Sequence, residues 1–538
     1  MREQPPLGFF AFEPQHGAKL HSSSNMTEPK FTQAAHRNAS RAQTIRAWRV
    51  RVAIAAGTLS VVAALGYATW ESAYAAGTGI ATTTAGTAAT PAAPASTAAA
   101  AATNTTIEPD SAGMNPHPVH LLRPAVAPLS GVAQIGKQIF YDTSLSASGT
   151  ESCASCHDPA HAYGPPNDRA LQLGGPHMNL VGHRPPPSLM YLYRQPNFSI
   201  GPDDAGSEGT VTIAQTAAAA QAAASAAGIP HPEKTVGAAT SAVAMVPQGG
   251  MFWDGRADTL QIQAYGPLLN PVEMANHDVK SVAAKLLTRP YAKDLAQYFG
   301  SNVLKSPDLL VSEAMFAVAR YQIEAPDFHP YTSKFDYWLE GRARLTPAEA
   351  RGYRLFNDPN KANCAGCHLS QPAKDGMPPM FTDYQYEALG APRNMNIPAN
   401  HDPKFYDIGI CGPDRTDMKT QAPYCSMFLT PTLRNVATRK VFFHNGVFHT
   451  LQAVMDFYDY RDTQPGKVYP LGANGKPAKY NDIPKRYLAN VDVTDPPFDR
   501  KLGEKPAMSE QDMRDIIAFM KTLTDGYKPD MPLTQAAR

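Results

Sequence analysis

The sequence predicts a mainly α-helical molecule built from two similar lobes, with long irregular segments between and around the helices. Three observations predict it. The pentapeptide Cys-x-x-Cys-His occurs twice, as CASCH at 153–157 and CAGCH at 364–368. Each copy follows the pattern Gly-x-x-x-Phe-x-Asp, first as Gly136, Phe140 and Asp142, then as Gly352, Phe356 and Asp358. A closing segment, SEQDMRDIIAFMKTL from Ser509, places Met513, Ile516, Ile517 and Met520 on one helical face.

The helix before the second pentapeptide carries its own start signal. TPAEA supplies Thr346 as N-cap, Pro347 at the first helical position and Glu349 at the third. The predicted lobes are residues 108–340 and 341–530. Strand signals are few, and the 49 prolines mark the irregular segments. An Ala-rich low-complexity stretch, 206–243, reads as an insertion in the first lobe.

The first 107 residues have a different character. Residues 1–51 end in a basic run (Arg37, Arg41, Arg46, Arg49, Arg51), and 52–70 is an uncharged apolar segment. Its length is about that needed to cross a bilayer, with positive charge on the flank that stays inside. Residues 73–75 (Ala-Tyr-Ala) also resemble a small-x-small cleavage site. A retained inner-membrane anchor and a cleaved signal are both compatible, and both export the chain to the periplasm. Residues 71–107 form an Ala/Thr/Pro linker. Lys plus Arg is 48 and Asp plus Glu 47, a balance that offers no basic surface for nucleic acid.

Four of the six cysteines, Cys153, Cys156, Cys364 and Cys367, belong to the pentapeptides. A zinc site would draw two Cys pairs closer together, and a redox dithiol needs no adjacent His. Covalent haem needs both thiols and the imidazole. The expectation is two haem c groups with His157 and His368 as proximal ligands, each lobe beginning as a small helical cytochrome c does. Cys411 and Cys425 remain, and outside the cytosol such a pair bonds as a disulfide. A redox-active pair is the alternative.

Two further segments, GMFWDGRADTLQIQAYGPLLNPVEMA (250–275) and FLTPTLRNVATRKVFFHNGVFHTLQAVMDFY (428–458), resemble signatures of the bacterial dihaem cytochrome c peroxidases and their MauG-type relatives. The resemblance covers roughly residues 110–530. It implies that the N-terminal haem meets peroxide, the C-terminal haem handles electrons, and Trp253 relays between them. It implies a distal pocket of Gln263, Pro267 and Glu273, which stand ten, fourteen and twenty residues after Trp253. Glu273 would move a proton between the peroxide oxygens. Fourteen residues beyond His444 stands Tyr458, where the peroxidases place an axial Met and MauG-type enzymes a Tyr. Met455, one turn earlier, is the competing ligand. The peroxidases' calcium segment RNxPS reads RPPPS here, with Pro185 for Asn, and Arg439 and Val441 replace Thr and Pro beside His444. No calcium is therefore expected, with Arg439 supplying the charge instead, to a haem propionate. His177, eight residues before Pro185, suits a ligand that blocks the peroxidatic iron, whereas His183 reads equally as a loop residue hydrogen-bonding a carbonyl.

Three functions compete. An exported peroxidase would reduce hydrogen peroxide with electrons from a small cytochrome c or cupredoxin. A MauG-type oxidase would use peroxide to modify a partner protein, a reading that Tyr458 favours. A non-catalytic dihaem electron carrier would not need Glu273 or Gln263.

Overall fold

The computed structural model describes residues 106–202 and 245–529. The segments 1–51 and 52–70, most of the linker and the 206–243 stretch lie outside the described residues. Among the described residues no helix is long and apolar enough to cross a membrane. The architecture is mainly helical. The helices are α1 Gly131–Phe140, α2 Leu260–Leu269, α3 Val279–Leu287, α4 Tyr291–Phe299, α5 Pro307–Glu324, α6 Lys334–Leu339, α7 Pro347–Asn357, α8 Leu451–Tyr460 and α9 Glu510–Lys521. Among the described residues strand is confined to short antiparallel pairs: β1 Leu173–Gly174 with β2 Leu180–Val181, β3 Ser199–Pro202 with β4 Met245–Gln248, and β5 Tyr386–Glu387 with β6 Phe428–Leu429.

The repeat seen in the sequence is a repeat of helix packing. α1 lies against α5, and α7 lies against α9. A Cβ at Gly136 would stand 1.8 Å from the Ala317 carbonyl oxygen, and one at Gly352 would stand 1.9 Å from that of Asp515. Only a glycine lets the paired backbones come so close. Phe140 and Phe356, four residues on, are both fully buried and point each helix into its core. The caps follow the sequence: Ser130 accepts from the Ala133 amide, Thr346 from that of Glu349, and Ser509 from that of Asp512.

Two large apolar cores stand out among the described residues, beside two smaller clusters. One gathers Phe140, Tyr163, Leu189, Val318, Tyr321 and Phe328; the other gathers Trp338, Tyr353, Phe356, Phe381, Ile516 and Phe519. The chain crosses between them more than a division at residue 340 implies. Leu121 and α6 (Phe335, Trp338, Leu339) precede that point yet pack in the second core. Met380 follows it and packs in the first. Cys411 and Cys425 are joined by a disulfide, with Cα atoms 5.1 Å apart. Closing a loop of this length is worth about 3 kcal/mol in the chain-entropy account.

Candidate active site

Each pentapeptide opens onto a cavity. In the first, Cys153–Cys156 is a single helical turn closed by a reciprocal Ser152/Ser155 cap. His157 follows, and its Nδ1 lies 3.2 Å from the Tyr163 carbonyl oxygen. In the second, Cys364–Gly366 is a 3₁₀ turn, and His368 Nδ1 lies 2.9 Å from the Phe381 carbonyl oxygen. Both carbonyls come from residues with left-handed backbone, Tyr163 at φ +50° and Phe381 at φ +54°. Non-glycine residues accept that conformation where the surroundings enforce it. A carbonyl can only accept, so Nδ1 is the donor and each neutral ring carries its lone pair on Nε2. Burial lowers both imidazole pKa values to about 4, which keeps the rings neutral and fit for a metal.

The first cavity has about 1230 Å³ of free space, part of it open to solvent. Cys153, Cys156 and His157 line it together with Gln263, Pro267, Glu273 and Trp253. Thr259 caps α2. Gln263 and Pro267, one turn apart on that helix, share a face, and the chain turns at Asn270 to bring Glu273 back. The Asn270 amide donates to Glu273 Oε1 at 2.5 Å, and the Glu273 carbonyl accepts from the Gly175 amide at 2.7 Å. Burial raises the Glu273 pKa against the opposing pull of Arg256 and Asn270.

The second cavity has about 1800 Å³ of free space. Cys364, Cys367, His368, Tyr458, Met455, Arg439 and His444 line it. Tyr458 and Met455 stand one turn apart on α8, and the Tyr458 ring stacks on Phe498 at 5.3 Å. His444 stacks flat on Phe428 at 3.5 Å, and burial lowers its pKa to about 3. Arg439 is a buried cation with little to hold it. Its Nε has no hydrogen-bond partner, one terminal nitrogen reaches the Thr432 carbonyl at 3.4 Å, and burial lowers its pKa to about 10. An orphaned guanidinium lining a cavity beside Cys-x-x-Cys-His fits a bound group that carries carboxylates, as haem does.

Trp253 lines both cavities. Its indole donates to the Pro185 carbonyl at 3.0 Å, and its own carbonyl accepts from the Leu429 amide at 3.0 Å. The Met251 amide reaches the Ala257 carbonyl at 2.6 Å, Phe252 is held at φ +68°, and Arg256 covers the Phe252 ring at 3.7 Å. These constraints fix the indole. Pro185, Pro186 and Pro187 also line both cavities.

His177 sits exposed in the turn between β1 and β2 and does not line the first cavity, whereas His183 does. Several polar residues at or around that cavity stand outside the motifs that mark it in the sequence. Glu151 is buried, stands 3.5 Å from Cys156 Sγ and has its pKa raised to about 7 by burial. Arg184 pairs with Asp254 and Asp407 at 2.7 Å, and Arg256 and Asp414 lie 3.6 Å apart. Only the position of Glu151, two residues before Cys153, could have hinted at its place. The others come from distant loops.

A helical fold with two Cys-x-x-Cys-His cavities sharing an indole wall is the arrangement expected of a haem-dependent oxidoreductase. Residues 130–344 match the family model described as di-haem cytochrome c peroxidase. The methylamine utilization protein MauG of Paracoccus denitrificans is 30% identical over 420 residues, which is 76% of this chain and 92% of that protein. The cytochrome c551 peroxidase of Nitrosomonas europaea is 25% identical over 347 residues, covering 63% and 76%. The crystal structure of the diheme peroxidase BthA from Burkholderia thailandensis superposes with a TM-score of 0.61 at 32% identity, covering 76% of this chain and 90% of that one. The chain belongs to the family of dihaem cytochrome c peroxidases and MauG proteins, and it is a haem-dependent oxidoreductase.

Proposed function

We propose that the protein is an exported dihaem c-type peroxidase that reduces hydrogen peroxide to water in the first cavity, using electrons that pass from the second cavity through Trp253. The observation that carries this reading is Trp253 as the common wall of a cavity holding Glu273, Gln263 and Pro267 and a cavity holding Tyr458. Cys153 and Cys156 would bind one haem covalently and Cys364 and Cys367 the other, with His157 and His368 as proximal ligands. The haems supply the irons that meet peroxide and store electrons. Glu273 Oε1 is occupied by Asn270, so Oε2 is the atom that would take a proton from one peroxide oxygen and deliver it to the other. A pKa raised by burial suits both halves of that task. Gln263 would hold the peroxide by its amide, and Pro267 offers an apolar wall that excludes competing hydrogen bonds.

Tyr458 would be the second side chain to hold the C-terminal haem's iron, with Met455 the alternative on the same helix. Arg439 would face a propionate and take the place of a calcium ion. Near-stoichiometric calcium by elemental analysis contradicts that assignment. The donor would be a small cytochrome c or cupredoxin, and the site of action the periplasm, with residues 52–70 either removed or kept as an anchor.

Tyr458 also favours a second reading, a MauG-type oxidase that modifies a partner protein. Steady-state turnover separates the two. A peroxidase oxidises reduced small cytochrome c rapidly and in proportion to peroxide. Slow turnover, with a long-lived two-electron-oxidised protein after peroxide addition, supports the oxidase.

A further inference from the structure

We propose that His183 and Asp414 form the proton port of the first cavity, resupplying Glu273 from solvent. The proposal rests on the reading of Glu273 as the proton-transfer group. Peroxide reduction breaks the O–O bond and consumes two electrons and two protons per two waters formed. The electrons come from the protein donor. Glu273 can recycle a proton between the peroxide oxygens, but the two net protons must enter from outside, and Glu273 is held inward by Asn270.

The cavity lining offers few groups that can carry them. Guanidiniums do not release protons near neutral pH, which removes Arg184 and Arg256. Glu151 lies at the cysteine end and is 2% exposed. His183 and Asp414 line the same cavity as Glu273 and also reach solvent, with side chains 20% and 32% exposed. His183 Nε2 lies 3.5 Å from Asp414 Oδ2 and 3.9 Å from Asp407 Oδ2 and makes no hydrogen bond. Both oxygens of Asp407 accept from one edge of Arg184, Nε and Nη2, at 2.7 and 2.8 Å, so Asp414 is the carboxylate free to serve the imidazole. Asp414 in turn faces Arg184 and Arg256, each at 3.6 Å, and His183 together with these guanidiniums holds its carboxyl well below the usual range. Phe405 packs edge-on against the imidazole at 5.7 Å and restrains its tilt. His444, which interacts electrostatically with both Asp407 and His183, is the remaining titratable neighbour. The His183 ring, beside Asp414, would pass a proton from one nitrogen into the cavity toward Glu273 and take one up from solvent at the other.

The test compares His183→Gln, His183→Ala, Asp414→Asn and Glu273→Gln in the haem-loaded protein, with exposed His117→Gln as control. His183→Gln is expected to slow peroxide reduction by about 10- to 100-fold and to remove one ionisation from the pH profile. Added imidazole is expected to restore the Ala variant. Independently of turnover, carbethoxylation of His183 in the folded protein, mapped by mass spectrometry beside the exposed His117, is expected to proceed because its side chain reaches solvent. A His183 that resists carbethoxylation in the folded protein, or a His183→Gln profile that overlays the parent, overturns the port. Undiminished peroxide reduction in Glu273→Gln would instead overturn the underlying assignment of Glu273.

Discussion

Glu273 owes its position to the way α2 ends. The helix stops at Leu269, Asn270 turns the chain, and the same Asn270 ties Glu273 Oε1. Replacing Glu273 with Gln keeps that hydrogen bond and removes the proton. The rate of reaction with peroxide is expected to drop by about 10²- to 10⁴-fold with little change in stability, as stopped-flow mixing and thermal melting would record. A second residue carries a pH signature of stability. Asp482 is buried, and burial raises its pKa to about 6 despite Asn445 and Arg393, whose guanidinium lies 3.0 Å away. The folded state therefore keeps a proton that the unfolded chain has released above the ordinary Asp pKa. The sign is that stability falls as pH rises from about 4 to 6, by up to about 3 kcal/mol. Asp482→Asn is expected to flatten that slope in urea titrations at pH 4, 5, 6 and 7. At this scale the sequence was informative only where spacing reports position. Gln263, Pro267 and Glu273 could be counted from Trp253, and each His followed its cysteines. Arg184, Asp407, Asp414 and Asp482 could not be read, because their partners lie far away in sequence.

The helices were legible where local chemistry decides them. The Thr346 cap with Pro347 and Glu349, and the Ser509 start of the closing helix, reappear as α7 and α9. The repeated glycine was visible, but its reason was not. Gly136 and Gly352 are the points at which α1 meets α5 and α7 meets α9 with no room for a methyl group. Since the obstacle in each case is a backbone carbonyl, no side-chain rotation relieves it. Gly136→Ala and Gly352→Ala are each expected to cost about 1–3 kcal/mol as the helices part. An unchanged denaturation midpoint in either variant contradicts that packing account. α3 and α4 carry weaker signals and announce themselves only once packed against α5 and its neighbours. Short pairs such as β1–β2 are too brief for any alternation of side chains to betray.

The molecule holds its two cores together through buried charge as well as through the indole. Arg434 and Asp336 form a two-pronged pair at 2.7 and 3.0 Å with neither side chain exposed. The same guanidinium lies over Tyr191 and Tyr331 at 4.9 and 4.8 Å. Tyr191 donates to Asp525 at 2.6 Å. Residues of the first core, of α6 and of the segment after α9 are thus tied to one point. Arg434→Met leaves Asp336 buried and unpaired, and a loss of about 3–5 kcal/mol is expected in chemical denaturation. Two lobes could be foreseen from two pentapeptides, but the exchange of Leu121, α6 and Met380 between cores could not, since it depends on contacts across most of the chain. The central claim at this scale is that Trp253 joins the two sites. The most direct measurement reduces the C-terminal haem alone, adds one equivalent of peroxide, and follows oxidation of that haem in the parent and in Trp253→Phe. The account predicts that the variant still consumes peroxide at its first site while oxidation of the second haem slows by about 100-fold or more. Oxidation of the second haem at the parental rate in Trp253→Phe would contradict it.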